Sequence, residues 1–395
     1  MKDGGARKNA VILSGGGANG AYEVGVLKAL FRGESASTDH RPIEPEIFAG
    51  TSIGAFNAAL IVSLLASEGS EAVDQLERIW LEVIPHDKET GQNHFFRYRA
   101  DPLEFFDPEV MFRNPVRPYI QLAEDSGYFA KDLYRRGLNF FLSPGRLEQR
   151  TLRLLNLSTI LSNEPGYRLI KKTIRFENIR QTNKVLKIAA TNWRTGDLKV
   201  FGNADLTDDI APSAVLASTA LPGIFAQVEV AGEYYADGGV VMNTPLKLGL
   251  DAGAEVLHIV YLNPDVRAIP LLPVADTIDT LGRTFAIQFA STVDRDIEVA
   301  EGINKGIEIL EKAAKGAPLS ATDTRPLIMA ASKLARLKGT GEYRKITIHR
   351  YQPVDVLGGV LGILNFDARR ISDLIKQGFD DAVNHDCAAN KCILS

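Results

Sequence analysis

The residues best suited to chemistry in this sequence begin with a serine held between two glycines. Gly50-Thr51-Ser52-Ile53-Gly54 matches the G-x-S-x-G pattern, between a short apolar strand and an apolar helix. Glycines on both sides permit the cramped turn of a nucleophile elbow, which raises the serine hydroxyl above the sheet. The helix N-terminus beside it favours developing negative charge. Ser52 is therefore a candidate nucleophile, and the alternative is that it simply caps the helix.

A glycine-rich loop is the second candidate for chemistry. Residues 14–20, SGGGANG, connect a short strand to a helix. The backbone N–H groups of Gly15, Gly16 and Gly17 can point inward because no side chain stands in the way. Inward-pointing N–H groups are what an oxyanion hole for acyl transfer requires.

The same loop also matches a nucleotide-binding pattern. Its first and third glycines, together with Gly20, satisfy G-x-G-x-x-G, the dinucleotide fingerprint. That interpretation requires an acidic residue about 20 positions further on, at the end of the next strand. Glu44 and Glu46 precede that strand instead, and no Lys-Ser or Lys-Thr pair closes a phosphate loop. A nucleotide-binding regulatory protein therefore stays as the alternative to an acyl hydrolase.

An aspartate supplies the third candidate. Asp237-Gly238-Gly239 follows the short strand pattern EYYA, so the carboxylate can lean into a site at the strand end. Taken alone, Asp-Gly is an ordinary turn signal. None of the six histidines lies in a glycine-flanked loop where a hydrolase triad would place one.

Taken in order, the three motifs resemble the patatin-like phospholipase family, whose pattern is a G-G-G-x-[K/R]-G loop, a G-x-S-x-G nucleophile and a D-G-[G/A] aspartate. The resemblance runs from about Asn9 to Leu262 and includes the segments 189–196 (AATNWRTG) and 217–225 (ASTALPGIF). One position departs from the pattern, since Asn19 stands where the family has Lys or Arg. The resemblance therefore assigns Asn19 no role.

The resemblance implies a serine lipid acyl hydrolase, similar to phospholipase A or lysophospholipase, that uses a Ser–Asp dyad. Ser52 would attack the ester carbonyl, Asp237 would be the only acid–base partner, and loop N–H groups would hold the oxyanion. It implies no cofactor and no metal, and a membrane phospholipid or lysophospholipid as substrate. The motif residues that carry over are Ser52, Asp237, Gly15, Gly16, Gly17, Gly20, Gly50, Gly54, Gly238 and Gly239. A catalytically silent scaffold of the same architecture is a further alternative.

These motifs require strands that end where the chemistry takes place. Apolar, β-branched runs predict buried strands, and apolar residues at helical spacing follow the first two of them. Successive strand–turn–helix units indicate a mostly parallel sheet with helices on its faces. The resemblance implies the same α/β class, a three-layer α/β/α fold with a helical lid or insert and C-terminal helices. The predicted strands include 9–13, 46–49, 185–191 and 256–262, and the predicted helices include 21–31, 53–66 and 365–384.

The expected organisation is one catalytic domain with additions. The domain would cover residues 8–265 and contain a mostly helical insert at 85–180. Aromatic residues at 95–129 would line an acyl-binding wall, form a membrane-facing lid or simply pack the core. Residues 266–386 are predicted to form a helical extension packed on the same domain, and residues 387–395 are predicted to form a flexible tail.

Composition narrows the choice of partners. The 395 residues include 45 basic and 49 acidic ones, and a net charge of −4 provides no attraction for nucleic acid. The apolar stretch 53–66 is too short for a membrane span, so membrane contact is expected to be peripheral. Two cysteines, Cys387 and Cys392, suit a reducing cytoplasm. The final residues, CILS, also match a prenylation motif at Cys392, while the oligomeric state is left open.

Overall fold

The described part of the chain forms ten strands and eight helices with defined ends, along with a further helical stretch at 304–313. The computed structural model describes residues 7–85, 93–98, 125–127, 130, 161–264, 345–358 and 362–394, and several helical residues between 280 and 313. The strands are β1 (Asn9–Leu13), β2 (Ile47–Thr51), β3 (Arg97–Tyr98), β4 (Leu161–Ser162), β5 (Val185–Asn192), β6 (Leu198–Gly202), β7 (Val228–Val230), β8 (Glu233–Asp237), β9 (Val256–Val260) and β10 (Thr347–Tyr351). The helices are α1 (Gly20–Arg32), α2 (Ile53–Glu68), α3 (Ala72–Arg78), α4 (Glu164–Thr173), α5 (Phe176–Gln181), α6 (Ala211–Ser218), α7 (Leu246–Asp251) and α8 (Ala368–Val383).

A mixed eight-stranded sheet is the centre of the fold. Its strands follow the order β10-β9-β1-β2-β5-β8-β7, and β6 lies beside β5. The five strands from β10 to β5 run parallel, whereas β6 and β8 run antiparallel to β5. β1 and β2 are mostly apolar because such strands are buried on both faces, whereas β10 includes Thr347, His349 and Arg350. The predicted, mostly parallel sheet is confirmed.

Helices cover both faces of the sheet. Alternate residues along a strand point to opposite faces, and they enter two separate apolar cores. Val11 and Phe48 belong to the core that contains α1, α2, α6 and α8. Ile12 and Ile47 belong to the core that contains α7 and the helical residue Ile307. The predicted α/β fold with three layers is therefore confirmed.

The central helix of the larger core is also the most apolar one. The helical run Ile53–Val83 is long and apolar enough to cross a membrane, but 67% of its most apolar window is buried. Every residue of α2 from Ile53 to Leu64 is buried inside the protein. This burial is what a core helix shows, in agreement with the prediction for 53–66.

Most of the predicted insert at 85–180 lies outside the described residues. The described parts include a short antiparallel pairing of β3 with β4, followed by α4 and α5. Phe95 and Phe96 are buried and join the larger core. Whether the other aromatic residues of 95–129 form a lid stays a prediction.

The C-terminal helix packs closely on the first helix of the domain. A Cβ at Gly25 of α1 would collide with the backbone of Ile375, and one at Gly378 of α8 with the backbone of Tyr22. Glycines at the two crossing points thus let the helix backbones approach each other. The Tyr22 hydroxyl also donates a hydrogen bond to Asp381 at 2.8 Å. The described parts of the extension predicted at 266–386 thus include α8, which packs on α1, and the sheet strand β10.

The segment after α8 folds back onto the edge of the sheet. Ile348 of β10 donates its N–H to the Ile393 carbonyl at 2.8 Å, and Ile393 returns the hydrogen bond at 2.9 Å. The Ile393 side chain is buried in the smaller core. Residues 387–394, which belong to the predicted flexible tail 387–395, thus contact the sheet edge through this backbone pairing and through the buried Ile393 side chain.

Candidate active site

Ser52 and Asp237 meet because two strands share one edge of β5. Thr51, the last residue of β2, pairs with Ala189. Asp237, the last residue of β8, pairs with Ala190, the next residue along β5. β2 runs parallel to β5 and β8 runs antiparallel, so the two strands end against each other. The residue after Thr51 therefore faces Asp237.

The turn at Ser52 has the geometry of a nucleophile elbow. Ser52 adopts φ 57° and ψ −127°, a strained conformation for a residue with a side chain. A Cβ at Gly50 would collide with the backbone of Gly54, and one at Gly54 with the carbonyl of Leu13. The flanking glycines are thus required by close backbone contacts, as the motif predicted. Ser52 begins α2, but its side chain makes no capping hydrogen bond.

A second serine fixes this strained turn. The Ser52 N–H donates to Ser218 Oγ at 2.9 Å, and the Ser218 hydroxyl donates to the Ala189 carbonyl at 2.7 Å. Ser218 is fully buried at the end of α6. The sequence placed Ser218 in the family-like segment 217–225 but did not reveal this role.

The Asp237 carboxylate is buried and held from two sides. Its Oδ1 accepts a hydrogen bond from the Gly239 N–H at 2.7 Å, and the Ser52 hydroxyl lies near enough to favour the ionised carboxylate and lower its pKa. Thr191 donates its hydroxyl to the Asp237 carbonyl at 2.9 Å. A Cβ at Gly238 would collide with the Ala189 carbonyl, which explains the first glycine of the motif.

Burial changes the acidity of this aspartate. Removal of the carboxylate from water raises the pKa of Asp237 to about 7, while the nearby Ser52 hydroxyl and the hydrogen bond from Gly239 act in the opposite direction. A carboxylate with a pKa near neutrality is a far better proton acceptor than an exposed one near pKa 4. Burial in this site therefore makes the Asp237 carboxylate more basic than that of an exposed aspartate.

The glycine loop lies beside Ser52, but its three amides are not equivalent. The Gly15 N–H already donates to the Asn243 carbonyl at 3.2 Å. Gly16 and Gly17 have no acceptor for their N–H groups among the described residues. The Ile53 N–H is similarly free there, as expected at the first position of a helix. Of the three glycines predicted to supply oxyanion donors, Gly16 and Gly17 thus have N–H groups without an acceptor in the described structure, and the Ile53 N–H is in the same state.

An arginine from α8 supports this loop. Arg370 Nη2 donates to Asn19 Oδ1 at 2.6 Å and to the Leu357 carbonyl at 2.7 Å, and Nη1 donates to the Asn365 carbonyl at 3.1 Å. Asn19 is buried and also precedes α1. Asn19 therefore links the loop to a cation 351 positions away in sequence. No sequence pattern pointed to Arg370.

Asn243 is another site residue that sequence reasoning did not single out. Besides its carbonyl contact with Gly15, it donates its side-chain Nδ2 to the Gly15 carbonyl at 3.4 Å. Its buried Oδ1 has no hydrogen-bond partner within the described residues. Asn243 follows the Asp-Gly-Gly motif by four residues and ties that motif to the glycine loop.

A cavity lined mainly by apolar side chains opens over these groups. It contains about 730 Å³ of space, including the part open to solvent, and Gly16, Ser52 and Asp237 lie in its wall. Phe95 stacks on Phe366 with ring centroids 4.8 Å apart. The apolar lining residues are Ile53, Phe95, Phe96, Leu216, Leu221, Ile224, Phe225, Ile363, Leu364 and Phe366.

None of the histidines in the described part of the chain lines this cavity. His258 and His349 lie on β9 and β10, where they pair across the two strands. Burial lowers the pKa of His258 to about 3, with the neighbouring His349 and His385 acting in the same direction. His86 lies outside the described residues. Within the described site, Asp237 is thus the acid–base group next to Ser52.

Comparison with known proteins agrees with the motifs. The family model described as patatin-like phospholipase matches residues 11–250, so the chain belongs to that family. The chain is 23% identical over 312 residues to the uncharacterized protein R571 of Acanthamoeba polyphaga mimivirus, covering 76% of this chain and 85% of that protein. The structure of VipD from Legionella pneumophila matches with a TM-score of 0.36 and 17% identity, over 98% of this chain and 67% of VipD.

Proposed function

We propose that this protein is a serine acyl hydrolase that cleaves carboxylic esters of lipids through Ser52 and Asp237. The observation that carries the proposal is the position of Ser52 beside the buried Asp237 carboxylate, where β2 and β8 end against each other and where burial raises the pKa of Asp237 to about 7. Membership of the patatin-like phospholipase family supports the same reaction class. A phospholipid or lysophospholipid, met by peripheral contact with a membrane, is the proposed substrate.

The reaction begins with attack on the ester. Asp237 accepts the Ser52 proton while Ser52 Oγ forms a bond to the carbonyl carbon. The carbonyl oxygen becomes an oxyanion, which the N–H groups of Gly16, Gly17 and Ile53 are placed to stabilise. Loss of one such donor typically costs roughly 3–4 kcal/mol of transition-state stabilisation. The C–O bond then breaks, and the proton held by Asp237 passes to the leaving alcohol.

A second half-reaction releases the acid. Water enters in place of the alcohol, gives a proton to Asp237 and attacks the acyl carbon through a second oxyanion. When this intermediate collapses, the proton returns from Asp237 to Ser52 Oγ and a carboxylic acid leaves. Each half-reaction thus restores the balance of protons with one carboxylate and no other acid or base.

The shape of the cavity supports an acyl chain as the group bound. Phe95, Phe96 and Phe225 contribute aromatic walls, and Leu216 and Leu221 contribute aliphatic ones. An apolar chain gains roughly 0.8 kcal/mol for each CH₂ that it buries in such a wall. We therefore propose that the cavity holds the fatty acyl chain while the head group stays toward solvent.

Probe labelling and product analysis test this proposal. A fluorophosphonate probe should label wild-type protein at Ser52 but fail to label Ser52→Ala. Ser67→Ala, an exposed serine on the same helix, is the matched control and should be labelled normally. Lipid mass spectrometry should detect free fatty acid from wild type and none above background from Ser52→Ala or Asp237→Asn. Asp373→Asn, at an exposed position, controls for the loss of a surface carboxylate.

The alternatives make different predictions in the same assays. A nucleotide-binding protein that used the glycine loop would bind a dinucleotide tightly and resist the probe. A silent scaffold would bind lipid without releasing fatty acid. Either result from correctly folded wild-type protein would overturn the hydrolase proposal.

A further inference from the structure

Four metal-binding side chains converge far from the active-site cavity. His349 lies on β10, and His385, Cys387 and Cys392 lie in the segment that follows α8. One ligand atom from each residue lies within 4.8 Å of the corresponding atoms of the other three. Both histidines are buried and both cysteines are partly buried. The family resemblance implied no metal, so this cluster was not expected from the sequence.

The separations between these atoms are close to those of a zinc site. His385 Nε2 lies 3.2 Å from Cys392 Sγ, and Cys387 Sγ lies 3.6 Å from His349 Nδ1. Tetrahedral zinc with Zn–N near 2.1 Å and Zn–S near 2.3 Å places neighbouring ligand atoms about 3.3–3.8 Å apart. Small side-chain rotations therefore suffice to bring the four atoms onto one ion.

The backbone of residues 386–392 forms a hydrogen-bonded turn that carries both cysteines. The Cys392 N–H donates to the Cys387 carbonyl at 2.9 Å, which closes the turn between the two thiols. Ala388 donates its N–H to Asp386 Oδ1 at 2.8 Å. The Arg350 N–H points at Cys392 Sγ from 3.3 Å, as backbone amides do toward metal-bound thiolates. The first two contacts shape the turn that carries both cysteines, and the third holds Cys392 Sγ against β10.

The strand side of the cluster is equally well fixed. His349 stacks on His258 of β9 with ring centroids 5.2 Å apart, and His258 Nδ1 lies 3.0 Å from the Tyr351 hydroxyl. The Tyr351 ring in turn contacts His385 with centroids 4.7 Å apart. His258 therefore orients His349 and is not itself one of the four converging ligands.

We propose that His349, His385, Cys387 and Cys392 bind one Zn²⁺ ion, which fastens the segment after α8 to the edge of the sheet. On binding, each thiol releases its proton to solvent, and the two thiolates balance the charge of the ion. Two imidazole and two thiolate ligands form one of the closed sets used by structural zinc. No position is left open for a reacting group, so the ion serves to hold the structure.

The proposed site also bears on the other end of α8. His385 follows α8 by two residues, while Arg370 near its start supports Asn19 of the glycine loop at 2.6 Å. An ion that holds His385 against β10 would therefore fix the helix that carries Arg370. The proposed zinc site goes beyond the hydrolase proposal and does not depend on it.

Two modifications of the sulfur atoms of Cys387 and Cys392 would compete with zinc binding, and the test must distinguish both from it. Cys387 and Cys392 are near enough to form a disulfide, which would remove both thiolates. Prenylation of Cys392 would form a thioether and require the buried Ile393 to leave β10. The zinc proposal excludes both modifications in the folded protein, since each consumes a ligand sulfur.

The experiment is a metal analysis of the full-length protein purified under reducing conditions. Wild type should carry one equivalent of zinc by mass spectrometry of the metal, and so should His40→Ala, which removes an exposed histidine. Cys387→Ser and Cys392→Ser should each lose the bound equivalent. Because a variant can fail to fold, the second measurement uses wild type alone. Its zinc is removed with a chelator, and Co²⁺ is added to the folded apoprotein.

Tetrahedral thiolate coordination should then appear as cobalt d–d absorption and a sulfur-to-cobalt charge-transfer band, with saturation at one equivalent. Absence of those bands in the wild-type titration would overturn the proposal. So would retention of zinc by the double variant Cys387→Ser/Cys392→Ser. A Cys387–Cys392 disulfide or a prenyl group on Cys392 in the intact mass of freshly purified protein would also overturn it. All these readouts are independent of ester hydrolysis, so failure of the hydrolase proposal would leave them unchanged.

Discussion

Thr51 and Asp237 occupy consecutive positions along the same edge of β5, paired with Ala189 and Ala190 respectively. One strand arrives parallel to β5 and the other antiparallel, so their ends face each other at a single point. This pairing brings a serine and an aspartate 185 positions apart into contact without the help of a flexible loop. The precision of the dyad is therefore set by the hydrogen-bond register of the sheet.

The ionisation of Asp237 should control the pH dependence of hydrolysis. Because Asp237 must be ionised to accept the Ser52 proton, kcat/KM should fall as the pH drops through about 7. Initial rates with a soluble ester between pH 5 and 9 provide the measurement. The midpoint should hardly move with temperature, since carboxylic acids ionise with little enthalpy, whereas an imidazole would shift it strongly. A profile that stays flat down to pH 5 would contradict the assignment of Asp237 as the base.

Ser218→Ala should disturb the nucleophile elbow. The substitution leaves the Ser52 N–H and the buried Ala189 carbonyl without their partner, at a cost of roughly 1–3 kcal/mol. We expect a lower Tm together with slower labelling of Ser52 by a fluorophosphonate probe. Ser213→Ala on the same helix is the control and should change neither quantity. Normal labelling by Ser218→Ala would show that the elbow holds its geometry without this hydroxyl.

Arg370→Gln should slow the chemical step while substrate affinity is retained. Arg370 is not among the described residues that line the cavity but holds Asn19, so we expect a lower kcat with little change in KM. A tenfold loss would correspond to about 1.4 kcal/mol of transition-state stabilisation. Arg370→Lys should recover part of the rate, and Arg369→Ala, at an exposed neighbour, should leave it unchanged. A rise in KM alone would assign Arg370 to substrate binding instead of loop support.

Glu23→Gln should stabilise the protein at neutral and alkaline pH. Glu23 is fully buried, and burial raises its pKa well above the usual value, against the opposing effect of hydrogen bonds from Asn57 and Ser14. The native state therefore holds a proton that the unfolded chain releases above about pH 4.3. Stability must then fall as the pH rises toward the folded-state pKa, by at most about 1.4 kcal/mol per pH unit.

Denaturant unfolding at pH 5 and pH 8 measures this effect. The fall in unfolding free energy between the two values should be smaller in Glu23→Gln than in wild type. Glu68→Gln, an exposed substitution at the end of α2, should retain the wild-type difference. An unchanged difference in Glu23→Gln would mean that Glu23 is not the group that couples folding to pH.

Sequence alone could predict the parts of the site that depend on local backbone geometry. Ser52 is recognisable because it lies between Gly50 and Gly54, and Asp237 because Gly238 follows it; close backbone contacts require these three glycines. β1 and β9 are recognisable because strands buried on both faces are largely apolar, although β9 contains His258. Such features can be recognised from a few adjacent residues of the sequence.

Parts of the site that depend on distant contacts left no such signal. Arg370 is an ordinary basic residue on an amphipathic helix, and only the docking of α8 on α1 brings it to Asn19. His349 is one residue of a strand, so the Cys–His cluster becomes visible only when the segment after α8 pairs with β10. The Gly15 amide could not be distinguished from its neighbours, because its acceptor, Asn243, is 228 positions away.

The contact between Arg370 and Asn19 also has a consequence for the time course of biosynthesis. At roughly 5–20 residues per second, a ribosome needs about 20–70 s to travel the 351 positions from the loop to its supporting guanidinium. In the later part of this interval the nascent chain already contains every family motif but still lacks that support. The glycine loop of a newly made copy therefore receives its arginine contact late, when translation has passed the motif region by more than a hundred codons.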